Sequence, residues 1–85
     1  MTKFDKLIKR FLAKPKNFRY SEVTNLLVHL GYKEIKAGIT AGSRKAFLNE
    51  KNNHIIRLHE PHPKDIMRIY QIEYLIEELK KKELI

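Results

Sequence analysis

The sequence predicts an α+β domain in which two helices, three antiparallel strands and a third helix follow one another along the chain. Two changes in hydrophobic spacing lead to this prediction. Apolar residues recur at helical spacing up to about residue 30, alternate with polar residues in short segments between residues 32 and 58, and return to helical spacing after residue 63. Because helices in such a chain usually cover one face of the sheet, the other face is expected to stay open.

The first helix is predicted to have about ten residues and to begin after Thr2, which serves as its N-cap. Pro15 and the polar residues around it are expected to end the helix. Its apolar residues fall at i, i+3, i+4, i+7 and i+8, which places them on one face: Phe4, Leu7, Ile8, Phe11 and Leu12.

The second helix is predicted to begin at Ser21 as N-cap, with Glu22 beside the positive end of the helix dipole. Gly31 is expected to stop it in a left-handed conformation. His29 lies beside the apolar face, and we interpret it as an ordinary helix histidine in preference to a catalytic one. The predicted buried residues are Val23, Leu26, Leu27 and Leu30.

Three strands in meander order are predicted at residues 32–37, Arg44–Asn49 and 54–58. The second and third strands are joined by a turn that contains Asn52 and Asn53, a residue type that tolerates turn geometry. These two strands form a β-hairpin that leads directly into the charged, proline-containing segment 59–63.

A glycine corner connects the first two strands. Gly38 and Gly42 allow positive φ, and the small residues around them leave backbone amides accessible to a phosphate. An ordinary loop is the commoner role for such a segment.

The closing helix is predicted at residues 68–82. Its lysines at 80–82 are favoured by the helix dipole, so they are not by themselves a nucleic-acid site. The apolar residues at helical spacing are Ile66, Ile69, Ile72, Leu75, Ile76 and Leu79.

Charge and size limit the possible functions. The 85 residues include 18 Lys and Arg against 10 Asp and Glu, a formal net charge of +8 that favours a polyanionic partner. A chain of this length buries about 60 to 65% of its unfolded surface, which supports one core but no deep catalytic cleft. The chain contains no cysteine, and its start resembles neither a signal peptide nor a membrane span. We therefore expect a soluble, cytoplasmic protein that makes no contact with a membrane.

Three segments and the final amphipathic helix together resemble the HicA toxins of bacterial toxin–antitoxin pairs. The segments are SEVTNLLVHLGYK, AGSRKAF and IIRLHEPHP. The resemblance covers residues 21–85 as the core of a single domain spanning 1–85, and residues 1–20 are similar to the extra N-terminal helix and loop of longer family members. It implies a double-stranded-RNA-binding-domain-like (dsRBD-like) fold, endonucleolytic cleavage of messenger RNA, and neutralisation by a HicB antitoxin.

The residues predicted to bind RNA are Gly42, Ser43, Arg44, Lys45 and Arg57. Gly42 and Ser43 match the glycine–serine pair of the family, but Arg44 stands where the family has the histidine taken as catalytic. An arginine can bind phosphate but cannot act as a general base, because its guanidinium stays protonated. Arg44, Lys45 and Arg57 are the residues expected to hold the RNA phosphate.

His59 and His62 are the remaining candidates for catalysis. An imidazole exists in both proton states near neutrality, and RNA supplies its own nucleophile, so this reaction requires neither a metal nor an organic cofactor. A metal site is disfavoured because Pro61 and Pro63 disturb the spacing of the two histidines and no further ligand cluster lies nearby. Alternatively, His59 serves only to hold the loop, and the protein is a non-catalytic RNA-binding module or a degenerate toxin.

Overall fold

A computed structural model describes residues 2–35 and 44–85, and it has the predicted α+β architecture and element order. The glycine corner, including Gly42 and Ser43, lies outside the described residues, as do the last two residues of the predicted first strand. The elements are α1 (Lys3–Leu12), α2 (Tyr20–His29), β1 (Tyr32–Ile35), β2 (Arg44–Asn49), β3 (His54–His59) and α3 (Ile69–Lys81).

The N-cap of α1 is the predicted one. The Thr2 hydroxyl accepts a hydrogen bond from the backbone N–H of Asp5 at 3.1 Å, and the Asp5 carboxylate accepts one from the backbone N–H of Thr2 at 3.2 Å. This reciprocal pair satisfies two of the backbone donors that a helix leaves free at its start.

The predicted start of α2 is wrong. Its N-cap is Arg19, not Ser21, and Ser21 lies in the first helical turn. The reason is that the Glu22 carboxylate accepts a hydrogen bond from the backbone N–H of Arg19 at 3.0 Å, which fixes the cap two residues earlier. At the other end of α2, Gly31 has a φ of 97°, the left-handed conformation that was predicted.

The three strands form an antiparallel sheet in the order β1, β2, β3. β2 has the predicted bounds, whereas β3 is one residue longer than predicted, because His59 still pairs with Arg44 across the hairpin. In the connecting turn Asn53 has a φ of 54°, and the Asn52 side chain accepts a hydrogen bond from the His54 backbone at 3.0 Å. Both asparagines thus have the turn role that the sequence indicated.

The two faces of the sheet differ sharply in burial. Phe47 and Ile56, which oppose each other across β2 and β3, are almost completely buried in the core with the helices. The alternate positions Arg44, Arg57 and His59 project from the opposite face and are exposed. Within the described part of the chain, the sheet therefore has one face in the core and one cationic face open to solvent.

The segment between α1 and α2 pairs with the segment that precedes α3. The backbone N–H of Met67 donates to the Phe18 carbonyl at 2.7 Å, and that of Tyr20 donates to the Asp65 carbonyl at 2.7 Å. The side chains of Phe18 and Met67 are buried in the same core cluster. This pairing, which we call the 18–20/65–67 bridge, ties the linker after α1 to the loop between β3 and α3.

A hydrogen-bonded chain of side chains connects α3 to the start of the sheet. The Tyr32 hydroxyl lies 2.5 Å from Nδ1 of His54, and Nε2 of His54 lies 3.0 Å from a carboxylate oxygen of Glu78. Since the carboxylate can only accept, Nε2–H of His54 donates to Glu78. The hydrogen bonds from His54 and Lys81 lower the pKa of Glu78, whereas burial and then the charge of Glu78 raise the pKa of Tyr32.

In the described ranges, 2–35 and 44–85, none of the helices combines the length and the apolar character needed to cross a membrane.

We predict that Glu78→Gln lowers the free energy of unfolding by about 1 to 2 kcal/mol near neutral pH, because it removes a charge-assisted hydrogen bond to a largely buried histidine. The pKa of Glu78 is lowered from its ordinary 4.5, so its contribution is complete above that pH and is lost as the pH falls through the folded pKa. Urea unfolding of both proteins between about pH 7 and pH 3 should therefore show their stabilities converging in acid.

The matched control is Glu77→Gln, the exposed neighbour, which should differ from the parent by less than about 0.5 kcal/mol throughout. A gap for Glu78→Gln that stays constant down to the lowest pH would show that the carboxylate charge does not stabilise the fold.

Candidate functional site

The loop between β3 and α3 and the first turn of α3 enclose a groove of about 520 Å³, which we call the loop groove. Both candidate catalytic histidines line it, one at the end of β3 and one in the loop. Its lining residues are His59, Pro61, His62, Pro63, Lys64, Ile66, Met67, Arg68, Tyr70 and Gln71. The sequence prediction that His59 and His62 act in one place is thus compatible with their positions.

A smaller groove of about 280 Å³ continues from it along the outer edge of β3, and we call it the edge groove. It is lined by Arg57, His59, Tyr70, Gln71 and Tyr74. Three of these residues, His59, Tyr70 and Gln71, also line the loop groove, so the two grooves form one continuous surface.

Gln71 fixes the position of His59 at the junction of the grooves. Its Oε1 accepts a hydrogen bond from the His59 backbone N–H at 3.0 Å, and its Nε2 donates to the His59 carbonyl at 3.3 Å. Gln71 itself is only 6% exposed, and it sits in the first turns of a helix whose neighbouring residues are in the core. The backbone that carries the His59 imidazole is therefore held to α3 at both of its polar groups.

The two carboxylates of the loop point away from the loop groove. Glu60 lies 3.7 Å from Nζ of Lys45, and Asp65 lies 3.6 Å from the guanidinium of Arg19. Neither lines either groove, whereas Lys64 and Arg68 both line the loop groove and form no ion pair with a described carboxylate. The lining of the two grooves is thus cationic, aromatic and imidazole-bearing, without a negative charge.

Arg44 and Arg57 extend this cationic surface across the sheet. Arg44 is the cross-strand partner of His59, and Arg57 lies two residues before His59 on the same face of β3. His59 uses its backbone N–H and C=O for Gln71, so Arg44 and His59 form a pair without mutual backbone hydrogen bonds, the kind in which side chains lie closest. A phosphate bound between these two side chains would meet a guanidinium and an imidazole together.

Lys45, the third predicted phosphate ligand, lies on the other face of β2 from Arg44. Its Nζ is 3.9 Å from a Glu34 carboxylate oxygen and 3.7 Å from Glu60. The pKa of the neighbouring Tyr20 is raised well above its ordinary range, mainly by burial and then by the charges of Glu34 and Glu60. Strand alternation therefore separates Lys45 from Arg44 and Arg57 and surrounds it with carboxylates.

The remaining residues singled out from the sequence lie elsewhere. Gly42 and Ser43 fall outside the described residues. His29 is exposed on α2, where its ring stacks on Phe4 with the ring centroids 4.7 Å apart and one nitrogen lies 3.1 Å from the Asn25 carbonyl. His29 lines neither groove, and its contacts are with Phe4 and Asn25.

The grooves combine groups that bind phosphate with groups that transfer protons. Guanidinium and ammonium groups attract an anion, and an imidazole can serve as a general base or a general acid. Within residues 2–35 and 44–85, His, Asp and Glu side chains nowhere form a group of three or more that could hold a metal ion. The guanidinium, ammonium and imidazole groups of the grooves are of the types that bind an anion and transfer protons.

Comparison with known proteins adds no assignment, since no protein-family model, curated protein or solved structure matches the chain.

Sequence analysis overlooked Gln71, Tyr70 and Tyr74. Gln71 precedes Leu75 by one helical turn, and a polar residue at such a buried-face position is a usable indication of a buried hydrogen bond. Tyr70 and Tyr74 also lie one turn apart, on the polar side of α3, where large aromatic residues are unusual. That pair was the available indication of an exposed aromatic surface.

We predict that Gln71→Leu removes both hydrogen bonds to the His59 backbone and lowers the free energy of unfolding by about 1 to 3 kcal/mol, the cost of leaving partly buried backbone groups unpaired. Hydrogen exchange is the sharper measurement, because the His59 amide should lose protection while amides in the centre of α2 change only with global stability.

Lys80→Leu, an exposed change on the same helix, should alter the stability by less than about 0.5 kcal/mol and leave the His59 amide protected. Unchanged protection of that amide in Gln71→Leu would mean that Gln71 does not hold the end of β3.

Proposed function

We propose that this chain is a metal-independent endoribonuclease that cleaves messenger RNA at the loop groove, and that it acts as the toxin of a HicA-like type II toxin–antitoxin pair. The observation that carries the proposal is that His59 and His62 line one groove with Lys64 and Arg68 and without any lining carboxylate. The sequence resemblance to HicA toxins supports the same activity independently of the groove. An RNA substrate is also what a chain of formal charge +8 attracts.

A dsRBD-like fold is part of this proposal. Its support is the order of elements along the chain, in which α2 precedes the three-stranded meander and α3 follows it. The cationic open face of that sheet, with Arg44 and Arg57, is the surface on which such a fold would track a phosphate backbone.

The reaction needs only the groups in the grooves and the RNA itself. His59, as general base, removes the proton from a ribose 2′-hydroxyl, and that oxygen attacks the adjacent phosphorus. The bond from phosphorus to the 5′-oxygen breaks, His62 as general acid protonates that oxygen, and the products end in a 2′,3′-cyclic phosphate and a 5′-hydroxyl. Each proton transfer contributes about 10² to 10⁴ in rate.

Arg44 and Arg57 hold the phosphate in this scheme. A guanidinium on the phosphate oxygens stabilises the negative charge that develops as the 2′-oxygen attacks. Arg44 then occupies the position of the family histidine with a different task, binding in place of proton transfer.

A second candidate is a non-catalytic RNA-binding module, and the observation that favours it is Arg44 itself, since the family histidine is missing. In that case the same cationic surface binds RNA by charge and shape, and the two histidines take no part in bond breaking. The two candidates differ in one measurable outcome, the appearance of cleaved RNA.

We predict that His59→Ala lowers the rate of RNA cleavage by about 10² to 10⁴ while leaving RNA affinity and unfolding unchanged, because the imidazole transfers a proton and does not hold the phosphate. His62→Ala should cost less, since it lies between two prolines in the loop, whereas His59 lies on a strand held by Gln71. Arg44→Ala should weaken both binding and turnover. The measurement is single-turnover cleavage of a labelled RNA with the ends of the products identified.

His29→Ala is the matched control, an exposed histidine on α2 that should leave the cleavage rate unchanged. Cleavage by His59→Ala at the parental rate would overturn the assignment of the base. A parent protein that binds RNA and cuts none between about pH 6 and pH 8, where imidazole titrates, would establish the binding module instead.

The proposed partner is a HicB-like antitoxin in the cytoplasm, with an acidic surface that covers the groove cations. We predict that such an antitoxin forms a stable complex with the chain and that Arg57→Glu weakens this complex at least about tenfold, since like charges would then face each other. Lys6→Glu, at an exposed position on α1, is the control for a general charge effect. Equal losses for the two variants, measured by calorimetry, would argue against a partner seated on the grooves.

A further inference from the structure

The edge groove is lined by two tyrosines, Tyr70 and Tyr74, whose rings are exposed to solvent and lie outside the core. Tyr70 is 61% exposed and Tyr74 is 38% exposed, although both are large and largely apolar. They lie one turn apart on α3, so their Cβ atoms are about 5 to 6 Å apart on one side of the helix. Exposed apolar surface that borders a groove is a candidate recognition site.

The surroundings of the two rings indicate an anionic partner with flat apolar parts. Arg57 and His59 border the same groove as the tyrosines, and Tyr70 also borders the loop groove with Lys64 and Arg68. A chain of alternating phosphates and bases matches this sequence of cationic and aromatic groups.

We propose that Tyr70 and Tyr74 are base-stacking residues that make this site bind single-stranded RNA in preference to duplex RNA. The inference rests on the proposed function, because it names the form of RNA that the loop groove receives. An unpaired base lies on each tyrosine ring, while the connecting phosphates contact Arg57 and the cations of the loop groove.

The two exposed rings favour an unstacked strand. In a duplex the faces of each base are covered by the neighbouring bases, so they cannot lie on Tyr70 or Tyr74. An extended single strand exposes both faces of each base and can separate successive bases to match the two rings. A duplex could contact the arginines but could not use the tyrosines without opening.

The test measures binding to a single-stranded 2′-O-methyl RNA of about 12 nucleotides, which cannot be cleaved by its own 2′-oxygen, and to the duplex of the same sequence. We expect Tyr70→Ala and Tyr74→Ala each to weaken single-strand binding by at least about fivefold, the loss of one stacked base, and to leave duplex binding unchanged. Tyr70→Phe, which keeps the ring, should retain the parental affinity. Val28→Ala, at an exposed apolar position on α2, is the control for a general surface effect.

The salt dependence of binding separates stacking from charge. The tyrosine variants should keep the parental slope of log K against log salt, whereas Arg57→Ala should reduce its magnitude by about 0.7, the value for one phosphate contact with a single strand. Equal effects of the tyrosine variants on single strand and duplex, or none on either, would overturn the stacking proposal.

The same experiment distinguishes this inference from the proposed function. A parent that binds neither form of RNA would overturn both. Binding of the single strand that is insensitive to both tyrosines would overturn only the stacking inference. Tyrosine-dependent binding by a protein that cleaves no unmodified RNA would uphold stacking and overturn catalysis.

Discussion

The 18–20/65–67 bridge is the constraint on which the loop groove depends. The loop that carries His62 and Lys64 runs between β3 and α3 and has no regular secondary structure of its own to fix its backbone. Two backbone hydrogen bonds of 2.7 Å to Phe18 and Tyr20 hold its far end, with Phe18 and Met67 buried on the core side. Buried hydrogen bonds and apolar contacts at the same point are costly to break, so the loop is fixed relative to the core. The linker before α2 thus contributes to the site although none of its side chains lines a groove.

The sign of the charge in the grooves follows from the same connections. Asp65 of the bridge faces Arg19, and Glu60 at the near end of the loop faces Lys45. Each of these exposed pairs contributes little to stability, about 1 kcal/mol or less. Their larger effect is on the position of the carboxylates, because each pair holds a carboxylate outside the lining of the two grooves. A chain with an excess of cations can in this way present an almost purely positive surface at one place while keeping its acidic residues paired.

The parts of the fold that depend on neighbouring residues could be predicted from the sequence. Thr2 as the N-cap of α1, Gly31 after α2 and the bounds of β2 are determined within a few residues, and the structure has them as predicted. The N-cap of α2 was misplaced because Ser21 is the better cap by residue type, whereas the Glu22 carboxylate holds the backbone of Arg19. The preference of serine for the N-cap position was thus outweighed by the hydrogen bond between Glu22 and the Arg19 backbone, which the residue types alone did not reveal.

The candidate site was predictable only in part, for a related reason. His59 and His62 are close in sequence, so a shared groove could be expected, but the contacts that hold and extend it join residues from different elements. Gln71, which holds the His59 backbone, is 12 residues from it along the chain. Separations of this kind leave no periodic pattern, and Tyr70 and Tyr74 resemble ordinary surface residues until β3 is placed beside them. The mid-helix polar residue and the aromatic pair are the weak indications that remained.

Under the proposed function, the cross-strand pair of Arg44 and His59 explains how the site could act although Arg44 stands where the HicA toxins have a histidine. In an antiparallel sheet, directly opposed residues that do not exchange backbone hydrogen bonds have their side chains on one face, with Cβ atoms about 4.5 to 5.5 Å apart. An imidazole at position 44 and one at position 59 would therefore reach nearly the same point above the sheet. Under the proposed function, moving the base from β2 to β3 keeps it beside the phosphate and frees position 44 for a permanent positive charge. With the base at His59, the site keeps a proton-transfer group, and Arg44 adds a phosphate contact where negative charge develops in the transition state.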